Sequence, residues 1–544
     1  MTCFFTPDRR LCYGRNRWFF RGLLSSVVRF PGRHCGCRPV VGPPPSAPSV
    51  IARRLLFGLV ASLLPLVATF GWANNGVEQT SFGARSAGMG GADYSVASDT
   101  TAMNSNPAGI TQVNRKRLDA GLGVILPDQH FKNELNDSDA RHQAFPLPVM
   151  GYVDDSHLGP WSYGVGAYAQ GGLGADLSLR HEVFRDRDTG ELRDQKFHSN
   201  LIYLKLATAV AYQVRYNLSL GASVNAGYSK LEMALPFSTS TAIMQGRPKL
   251  LGHAFTFAQL FRSPLLLNMK QATANIDLQD ADTWGYGYKL GMLYDYNENL
   301  TLGLAYTSDS TLKFKGKTEL DFNSQVQTAF PDFTSYFSPD FGRFYNRIFN
   351  TVVRYGTGLD PQGDLHASYD TELELVYPRK FGGGGAWRPT EKLLLAADVT
   401  WINWKDSFDA MRIELTHGSN GAVNRMTGSN HLSIAVPMNW RDQWIFAIGA
   451  EYFLSPVWTL RAGLNHAQNP VPEDTVIPIF PAITETHATF GLGYRWENFE
   501  LDGAWEHGFR KSITTAVSKV ATEYNDSKNS LTLDSFFVTG SWFY

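Results

Sequence analysis

Apolar residues recur at every second position in stretches of about ten residues along most of the chain. In residues 284–296 the even positions are aromatic or aliphatic, and the odd positions are mostly Gly, Lys and Asp. Residues 444–452 and the final stretch 536–544 alternate in the same way. This pattern is typical of tilted strands in a transmembrane β-barrel, where one face meets lipid and the other meets the lumen. A strand of a soluble β-sandwich also alternates, but aromatic residues at both ends of the apolar face favour membrane interfaces.

Fourteen such stretches predict strands. Their expected bounds are 117–126, 145–155, 161–170, 199–215, 217–231, 284–297, 299–316, 368–389, 392–405, 442–454, 457–467, 485–497, 499–509 and 531–544. The connections between them are alternately short and long, as in barrels with short periplasmic turns and long outer loops. We therefore predict an all-β fold, in which residues 117–544 form a transmembrane antiparallel β-barrel of about fourteen strands with both ends on the periplasmic side.

Composition narrows the functional classes. The 544 residues carry a formal net charge of -1, which argues against a nucleic-acid partner because such a partner requires a basic field. No internal run of apolar residues is long enough for a membrane-spanning helix, so a helical-bundle membrane protein is excluded.

The first part of the chain has the features of an export signal. Residues 50–73 contain Arg53 and Arg54, an apolar stretch, and small residues at Gly71 and Ala73, which predicts a signal peptide cut after Ala73. The alternative, a membrane anchor, is disfavoured by a proline within the short apolar run. Residues 1–49 are interpreted as an over-extended start that is absent from the mature protein. They contain all four cysteines: Cys3, Cys12, Cys35 and Cys37.

Residues 74–116 are small, rich in Gly and turn formers, and lack the alternation. A barrel of about fourteen strands is wider than its own inward side chains can fill. We therefore expect residues 74–116 to form an N-terminal hatch, or plug, in the lumen. The alternative is a disordered periplasmic tail.

The motifs in this segment resemble those of the FadL family of outer-membrane transporters for long-chain fatty acids and other hydrophobic compounds. The matching hatch residues are Gly88, Gly90, Asp99, Asn106, Pro107, Ala108 and Gly109. Further matches in order and spacing are 440–442, 458–463, 470–472, 477–478 and 490–494. The resemblance covers about 76–544, more weakly outside these motifs. It implies a fourteen-stranded barrel, a hatch that blocks the lumen, and hydrophobic ligand sites beneath the outer loops.

The two longest predicted outer loops, 232–283 and 317–367, are unusually apolar. Loops that face water are normally polar, so this density of apolar residues indicates an exposed binding patch or a lipid contact. The alternative is that the segments pack on each other as a lid. The candidate residues of a hydrophobic ligand groove are Leu251, Phe255, Phe257, Leu260, Phe261, Phe333, Phe337 and Phe341.

Two further features bear on ligand binding and exit. Lys230 and Arg441 are candidate carboxylate contacts by position alone, and the alternative is that both are ordinary rim charges. The third predicted strand contains Gly164 and Gly166 in a Gly-dense stretch, and Gly within a strand often marks a bulge or bend. We expect a lateral opening there, and the resemblance implies such a kink.

The resulting hypothesis is passive uptake of hydrophobic compounds across the outer membrane of a Gram-negative bacterium, after export to the periplasm. Long-chain fatty acids are the first expected ligand class, and aromatic hydrocarbons are the alternative. An outer-membrane lipid-modifying enzyme or an adhesin is a further alternative. The chain has no complete Gly-x-x-x-x-Gly-Lys-Ser/Thr phosphate-binding loop, which favours passive flow.

Several partners follow from this hypothesis. They are the hydrophobic ligand, outer-membrane lipid and lipopolysaccharide, and the barrel-assembly machinery, which would engage the C-terminal strand. We expect a monomer, with no cofactor, metal or nucleic acid.

Overall fold

Antiparallel strands are hydrogen-bonded to one another around a complete cylinder. The computed structural model describes residues 75–544 except 114, 156–158, 187–188, 251–254, 264–268, 330–338 and 361–362. The predicted signal peptide at 50–73 and the upstream residues 1–49 lie outside this part.

Nineteen strands are present in the described residues. They are β1 (Arg117–Lys132), β2 (Asp137–Asp139), β3 (Phe145–Asp154), β4 (Trp161–Arg185), β5 (Leu192–Arg215), β6 (Leu218–Ser240), β7 (Gln271–Asn297), β8 (Leu300–Thr307), β9 (Ser310–Asp321), β10 (His366–Tyr377), β11 (Lys380–Thr390), β12 (Leu393–Ile402), β13 (Ala410–Thr416), β14 (Leu432–Pro437), β15 (Gln443–Phe453), β16 (Trp458–Ala467), β17 (Thr486–Trp496), β18 (Phe499–Thr515) and β19 (Ser527–Phe543).

These strands occupy fourteen positions in the wall of the barrel. Five positions each contain two consecutive strands that share neighbours, namely β2 with β3, β8 with β9, β10 with β11, β12 with β13, and β14 with β15. The cylinder closes where β1 pairs with β19, from Arg117 opposite Phe543 to Lys132 opposite Lys528. The predicted all-β barrel of fourteen strands is confirmed.

The alternation predicted from the sequence separates two faces of the wall. Trp284, Tyr286 and Tyr288 are exposed on the outer face of β7, whereas Lys289 is buried. Farther from the periplasmic turns the outer face becomes charged, and Lys315 on β9 pairs with Glu372 on β10 at 2.9 Å. This change from apolar to charged positions is what a barrel requires where it leaves the bilayer.

The strands on the outer side are longer than predicted. The expected loop at 171–198 is mostly a continuation of β4 and β5, and the expected loop at 232–283 includes the ends of β6 and β7. The prediction stopped each strand at the length that crosses a bilayer. Pairing continues because inward residues such as Leu173 and Leu177, each 1% exposed, bury apolar surface in the outer half of the barrel.

Helices are few, and all but Pro339–Thr357 are short. In the described residues they are Gly83–Gly88, Phe257–Arg262, Asn323–Ala329, Pro339–Thr357, Trp404–Ser407 and Gly421–Thr427, with 3₁₀ turns at Thr100–Met103, Pro107–Gln112, Thr241–Ile243 and Thr522–Tyr524. Within the described part of the chain, no helix combines the length and apolar character needed to cross a membrane.

Candidate functional site

The N-terminal segment, residues 75–116, contacts the inward face of the wall on many sides. Wall glycines make this possible because their backbone can be approached closely. A Cβ atom on Gly221 of β6 would overlap Ala108, and one on Gly463 of β16 would overlap Gly90. The inward glycines of the wall therefore provide the space that the segment occupies.

The predicted hatch residues shape the segment itself. Asp99 begins the turn Thr100–Met103 and accepts a hydrogen bond from the Thr101 amide at 2.9 Å. Asn106 begins the turn Pro107–Gln112, and its Oδ1 accepts from the Ala108 amide at 3.2 Å. Such caps satisfy amide groups at the start of a helical turn.

Asn106 also connects two other parts of the molecule. Its Nδ2 donates to the carbonyl of Tyr94 at 2.8 Å and to the carbonyl of Met292 on β7 at 3.0 Å. The three predicted glycines sit at close approaches. Gly88 lies against Gly491, and Gly109 lies against Ala97. Gly90, which has a φ of +66°, lies against Leu464.

Buried ion pairs also join the segment to the wall. Arg85 makes two hydrogen bonds to the carboxylate of Glu451 on β15, at 3.0 and 3.1 Å. Arg461 on β16 approaches Glu451 at 2.7 Å and Asp502 on β18 at 2.5 Å. Burial alone would lower the pKa of Arg85, but the Glu451 carboxylate raises it above the usual value. Arg85 is therefore charged and held by its partner.

Earlier in the segment, Glu78 pairs with Lys380 of β11 at 2.5 Å. Glu78 also accepts from Gln170 Nε2 at 3.0 Å and forms an isolated β-bridge with Gly171 of β4. The Gly172 amide donates to the Val77 carbonyl at 3.2 Å. Residues 77–79 thus pair with β4 much as a strand would.

Residues 77–79 can pair with β4 because the strand pairing of the wall is interrupted there. Pairing between β3 and β4 runs only from Asp154 opposite Tyr163 to Val149 opposite Tyr168. Beyond that point residues 145–148 of β3 pair with β1 alone, and the register of β4 with β5 shifts between Ala169 and Gly171. Such a bulge bends a strand, and the prolines at 146 and 148 supply no amide donor to β4. We call this interruption, between 145–148 and 169–172, the wall opening.

Gly164 and Gly166 lie just before the wall opening. They pair with Val153 and Gly151 of β3 and with Ala209 and Ala207 of β5, so strand pairing at both residues is complete on both edges. The interruption predicted at these two glycines instead begins after Tyr168. Glycine content alone therefore did not indicate which residues of β4 leave the hydrogen-bonded ladder.

The outer half of the lumen is apolar. A small cavity of about 20 Å³ lies between residues of β6, β7, β13 and β14 and two outer connections. It is lined by Met233, Leu235, Phe237, Ile276, Met411, Ile413, Val436, Ile477, Ile479, Val520 and Tyr524. We call it the outer cavity. Its volume is roughly that of one water molecule, so a larger ligand requires displacement of its walls.

Part of this lining comes from residues 470–484, between β16 and β17, which sequence reasoning treated only as an outer loop with family motifs. Val476, Ile477 and Ile479 of this segment are buried. Ser199 Oγ donates to the Ile479 carbonyl at 2.6 Å, and Gln129 Nε2 donates to the Pro478 carbonyl at 2.7 Å. The signal in the sequence was an apolar run, 476–483, in a connection expected to face water.

The predicted groove residues separate into three groups. Leu251, Phe333 and Phe337 lie outside the described residues. Phe257 and Phe261 are buried, with ring centroids 5.7 Å apart, and Leu260 is half-buried. Phe255 and Phe341 are 48% and 51% exposed. The described members therefore do not share one environment.

Neither candidate carboxylate contact lines the outer cavity. Lys230 pairs with Glu232 at 2.7 Å and lies 3.7 Å from Asp280. Arg441 is exposed, and its amide donates to the Pro470 carbonyl at 2.9 Å. The geometry of Lys230 is that of a rim ion pair.

The periplasmic end of the lumen differs chemically from the outer end. A cavity of about 530 Å³ is lined there by charged groups that include Arg117, Arg461, Arg495, Glu451 and Glu500. The path through the barrel thus has an apolar outer end and an ionic periplasmic end.

Known proteins share this architecture. A long-chain fatty acid transport protein of Escherichia coli is 21% identical over 492 residues, covering 87% of this chain and 96% of the relative. The crystal structure of the Pseudomonas putida toluene transporter TodX has a TM-score of 0.62 at 21% identity, with 86% of this chain and 99% of that chain covered. A Pseudomonas aeruginosa FadL homologue has a TM-score of 0.60 at 16% identity, with 87% and 99% covered.

The family model described as outer membrane protein transport protein (OMPP1/FadL/TodX) matches residues 64–535. The chain therefore belongs to this family of Gram-negative outer-membrane transport proteins.

Proposed function

We propose that the protein carries hydrophobic compounds passively across the outer membrane, with long-chain fatty acids as the first ligand class. The observation that carries this proposal is the polarity of the path, apolar in the outer cavity and ionic at the periplasmic end. Transfer of an apolar molecule from water to the outer cavity is favourable because apolar surface leaves water. In the ionic periplasmic cavity this stabilisation would be absent.

The second part of the proposal is that residues 75–116 act as a hatch. Their contacts with wall glycines and their ion pairs with Glu451 and Lys380 support a closed resting state. The cap residues Asp99 and Asn106 give the segment a defined shape, so it moves as a structured unit.

The third part is exit through the wall opening. Residues 77–79 cover the interruption between β3 and β4, so their movement would leave an unpaired gap beside the lipid. A hydrophobic ligand could then enter the bilayer without crossing the ionic cavity. The opening at 169–172 replaces Gly164 and Gly166 as the proposed exit.

Aromatic hydrocarbons are a second candidate class. All residues that line the outer cavity are uncharged, and a cavity without a cation accepts a neutral hydrocarbon at no electrostatic cost. The TodX structure is titled a toluene transporter, which supports the same alternative. We do not propose an enzymatic role, because the named relatives are transporters.

A disulfide between the hatch and the wall tests the proposed movement. The Ala84 amide donates to Thr539 Oγ1 at 3.0 Å, so these residues are neighbours, and Ala84→Cys with Thr539→Cys is the cysteine pair to oxidise. Residues 51–544 contain no other cysteine, so the bond is unambiguous. The oxidised variant should lose uptake of radiolabelled oleate in cells, and reduction should restore it. Each single cysteine variant is the control. Full uptake by the cross-linked protein would exclude displacement of the hatch near Ala84.

A further inference from the structure

The outer connection between β16 and β17 is buried over nine consecutive residues, 476–484. Connecting segments normally lie on the surface, because a buried loop leaves backbone groups without hydrogen-bond partners. This segment contains no strand or helix. Its side chains nevertheless belong to the main apolar core of the barrel, and Val476, Ile479 and Ile483 are fully buried. We call residues 476–484 the outer strap.

The outer strap crosses the lumen. It joins two neighbouring strands, β16 and β17, and the Ser199 hydroxyl of β5, on the far side of the cylinder, donates to the Ile479 carbonyl at 2.6 Å. Gln129 of β1 donates to the Pro478 carbonyl at 2.7 Å. With the strap in this position, the outer cavity has a volume of only about 20 Å³. The strap therefore occupies space on the path that a ligand would take.

The outer strap has few polar attachments, whereas the residues on either side of it are anchored. Within the described part of the chain, the hydrogen bonds from Gln129 and Ser199 are the two that join its nine residues to the wall. Just before the strap, the Thr475 hydroxyl donates to a backbone carbonyl at 2.6 Å, and just after it Glu485 pairs with Lys511 at 2.7 Å. Segments with few hydrogen bonds to their surroundings open at low free-energy cost. The strap can therefore move while its ends stay in place.

An apolar molecule can take the place of the strap against the wall. Strap and ligand offer the same kind of surface, so wall side chains such as Met233 and Leu235 stay shielded from water. The main loss is the two side-chain hydrogen bonds, and a neutral hydrogen bond contributes only modestly to stability. Movement of the strap also vacates the volume of five large apolar side chains, which approaches the ~300–1,000 Å³ of a ligand pocket. These side chains are those of Val476, Ile477, Ile479, Phe480 and Ile483.

We propose that the outer strap is an entry gate in series with the hatch, and that Ser199 and Gln129 are the positioning residues that keep it closed. A hydrophobic ligand enters when residues 476–484 leave β5 and β1, and it then lies between the strap and the wall. Both positioning residues act through the strap and not by contact with the ligand. This inference rests on the proposed function and adds a step that precedes movement of the hatch.

Removal of one hydroxyl tests the role of Ser199. Ser199→Ala loses the bond to Ile479, so the open state of the strap should be about fivefold more populated. Ser199→Thr keeps a hydroxyl donor and is the matched control. In outer-membrane vesicles, Ser199→Ala should bind radiolabelled oleate about fivefold faster than Ser199→Thr, because binding requires the open state.

Hydrogen exchange shows whether the effect of Ser199→Ala is confined to the strap. Peptides from residues 476–484 should exchange backbone hydrogen about fivefold faster than in Ser199→Thr. Peptides from β5 and β6 should exchange at the same rate in both variants, because the backbone pairing of these strands does not involve the hydroxyl. Faster exchange throughout β5 and β6 would mean that Ser199 supports the wall rather than the gate.

A cross-link separates the entry gate from the hatch. Ser199→Cys with Ile479→Cys is the pair to oxidise, because the Ser199 hydroxyl lies beside the Ile479 carbonyl. The oxidised strap variant should neither bind nor take up oleate, and reduction should restore both. The oxidised hatch variant, Ala84→Cys with Thr539→Cys, should still bind oleate but should not transport it.

The outcomes are distinct. Oleate binding at the wild-type rate by the oxidised strap variant, or equal binding rates in Ser199→Ala and Ser199→Thr, would overturn the entry gate and leave the proposed transport function standing. Wild-type protein that binds oleate but transports none would overturn the proposed function and not the gate. Wild-type protein that neither binds nor transports oleate would overturn both.

Discussion

The ion pair between Arg85 and Glu451 provides the most direct test of how the hatch is held. Arg85 is carried by the hatch, and Glu451 by β15 of the wall. Arg85→Met removes the guanidinium but retains an apolar side chain of similar length. Glu451 keeps its 2.7 Å contact with Arg461, so the variant leaves no isolated buried carboxylate.

The expected loss of stability of the closed hatch follows from the geometry of the two hydrogen bonds between Arg85 and Glu451. Two hydrogen bonds of 3.0 and 3.1 Å join charged groups whose side chains are 16% and 1% exposed. Hydrogen bonds to charged groups contribute about 1.5–3 kcal/mol to stability when they are shielded from water. A change of about 1–3 kcal/mol shifts a two-state equilibrium roughly 5- to 150-fold. In Arg85→Met, the ratio of the displaced to the closed state of the hatch should therefore rise by about 5- to 150-fold.

Two measurements detect this change. Peptides from residues 83–93 should exchange backbone hydrogen faster in Arg85→Met, and single barrels in a planar bilayer should show more frequent conductance openings. The matched control is Arg379→Met, because Arg379 pairs with Asp406 at 2.8 Å with side chains 46% and 62% exposed, a setting in which ion pairs contribute little. If Arg85→Met and Arg379→Met behave alike in both assays, the hatch is not held by this ion pair.

Three further variants probe the cap, the buried acid and the outer cavity. Asn106→Ala removes a helix cap and two hydrogen bonds to carbonyls, so thermal unfolding should show a loss of stability of about 1 kcal/mol or more. Asn106→Asp should retain the cap, and equal losses in the two variants would mean that the cap contributes nothing. Burial raises the pKa of Asp93 to about 6, partly offset by the Ser86 hydroxyl. Because this folded-state pKa exceeds the unfolded value of 3.8, the stabilising contribution of Asp93 is complete below pH 3.8 and is lost as the pH rises through 6. Asp93→Asn should therefore raise stability in urea at pH 8 more than at pH 5, and a pH-independent effect would contradict this. Ile479→Asp places a charge in the outer cavity and should lower uptake of oleate, while Val517→Asp, at a 70% exposed position, should not; unchanged uptake by Ile479→Asp would exclude the cavity from the path.

The sequence predicted the wall of this barrel well because alternation is a local property. A strand such as 284–296 shows its two faces in its own residues, and the strand count follows from repeating that test. The predicted hatch residues also have a local signal, since Asp99 and Asn106 cap the turns that immediately follow them.

Features that depend on distant contacts were not visible in the sequence. Lys205 and Lys289 both contact Asn104, and Lys380 contacts Glu78, but nothing in the local sequences of these lysines indicates that they meet residues 75–116. The wall opening depends on prolines in β3 and a bulge in β4, whereas the prediction considered only the glycines of β4. Residues 470–484 pack inward because their apolar side chains are buried against the inward face of the wall. That face exists only once the barrel has closed.

The seam between β1 and β19 has a consequence for biogenesis. The two strands that complete the cylinder come from opposite ends of the wall sequence, so the circle cannot close until every intervening hairpin has formed. Such distant pairing is intrinsically slow. Residues 75–116 are tightly enclosed by many strands, which implies that they enter before the circle closes. We therefore expect the sheet to close around residues 75–116 during assembly, rather than these residues to enter a barrel that has already closed.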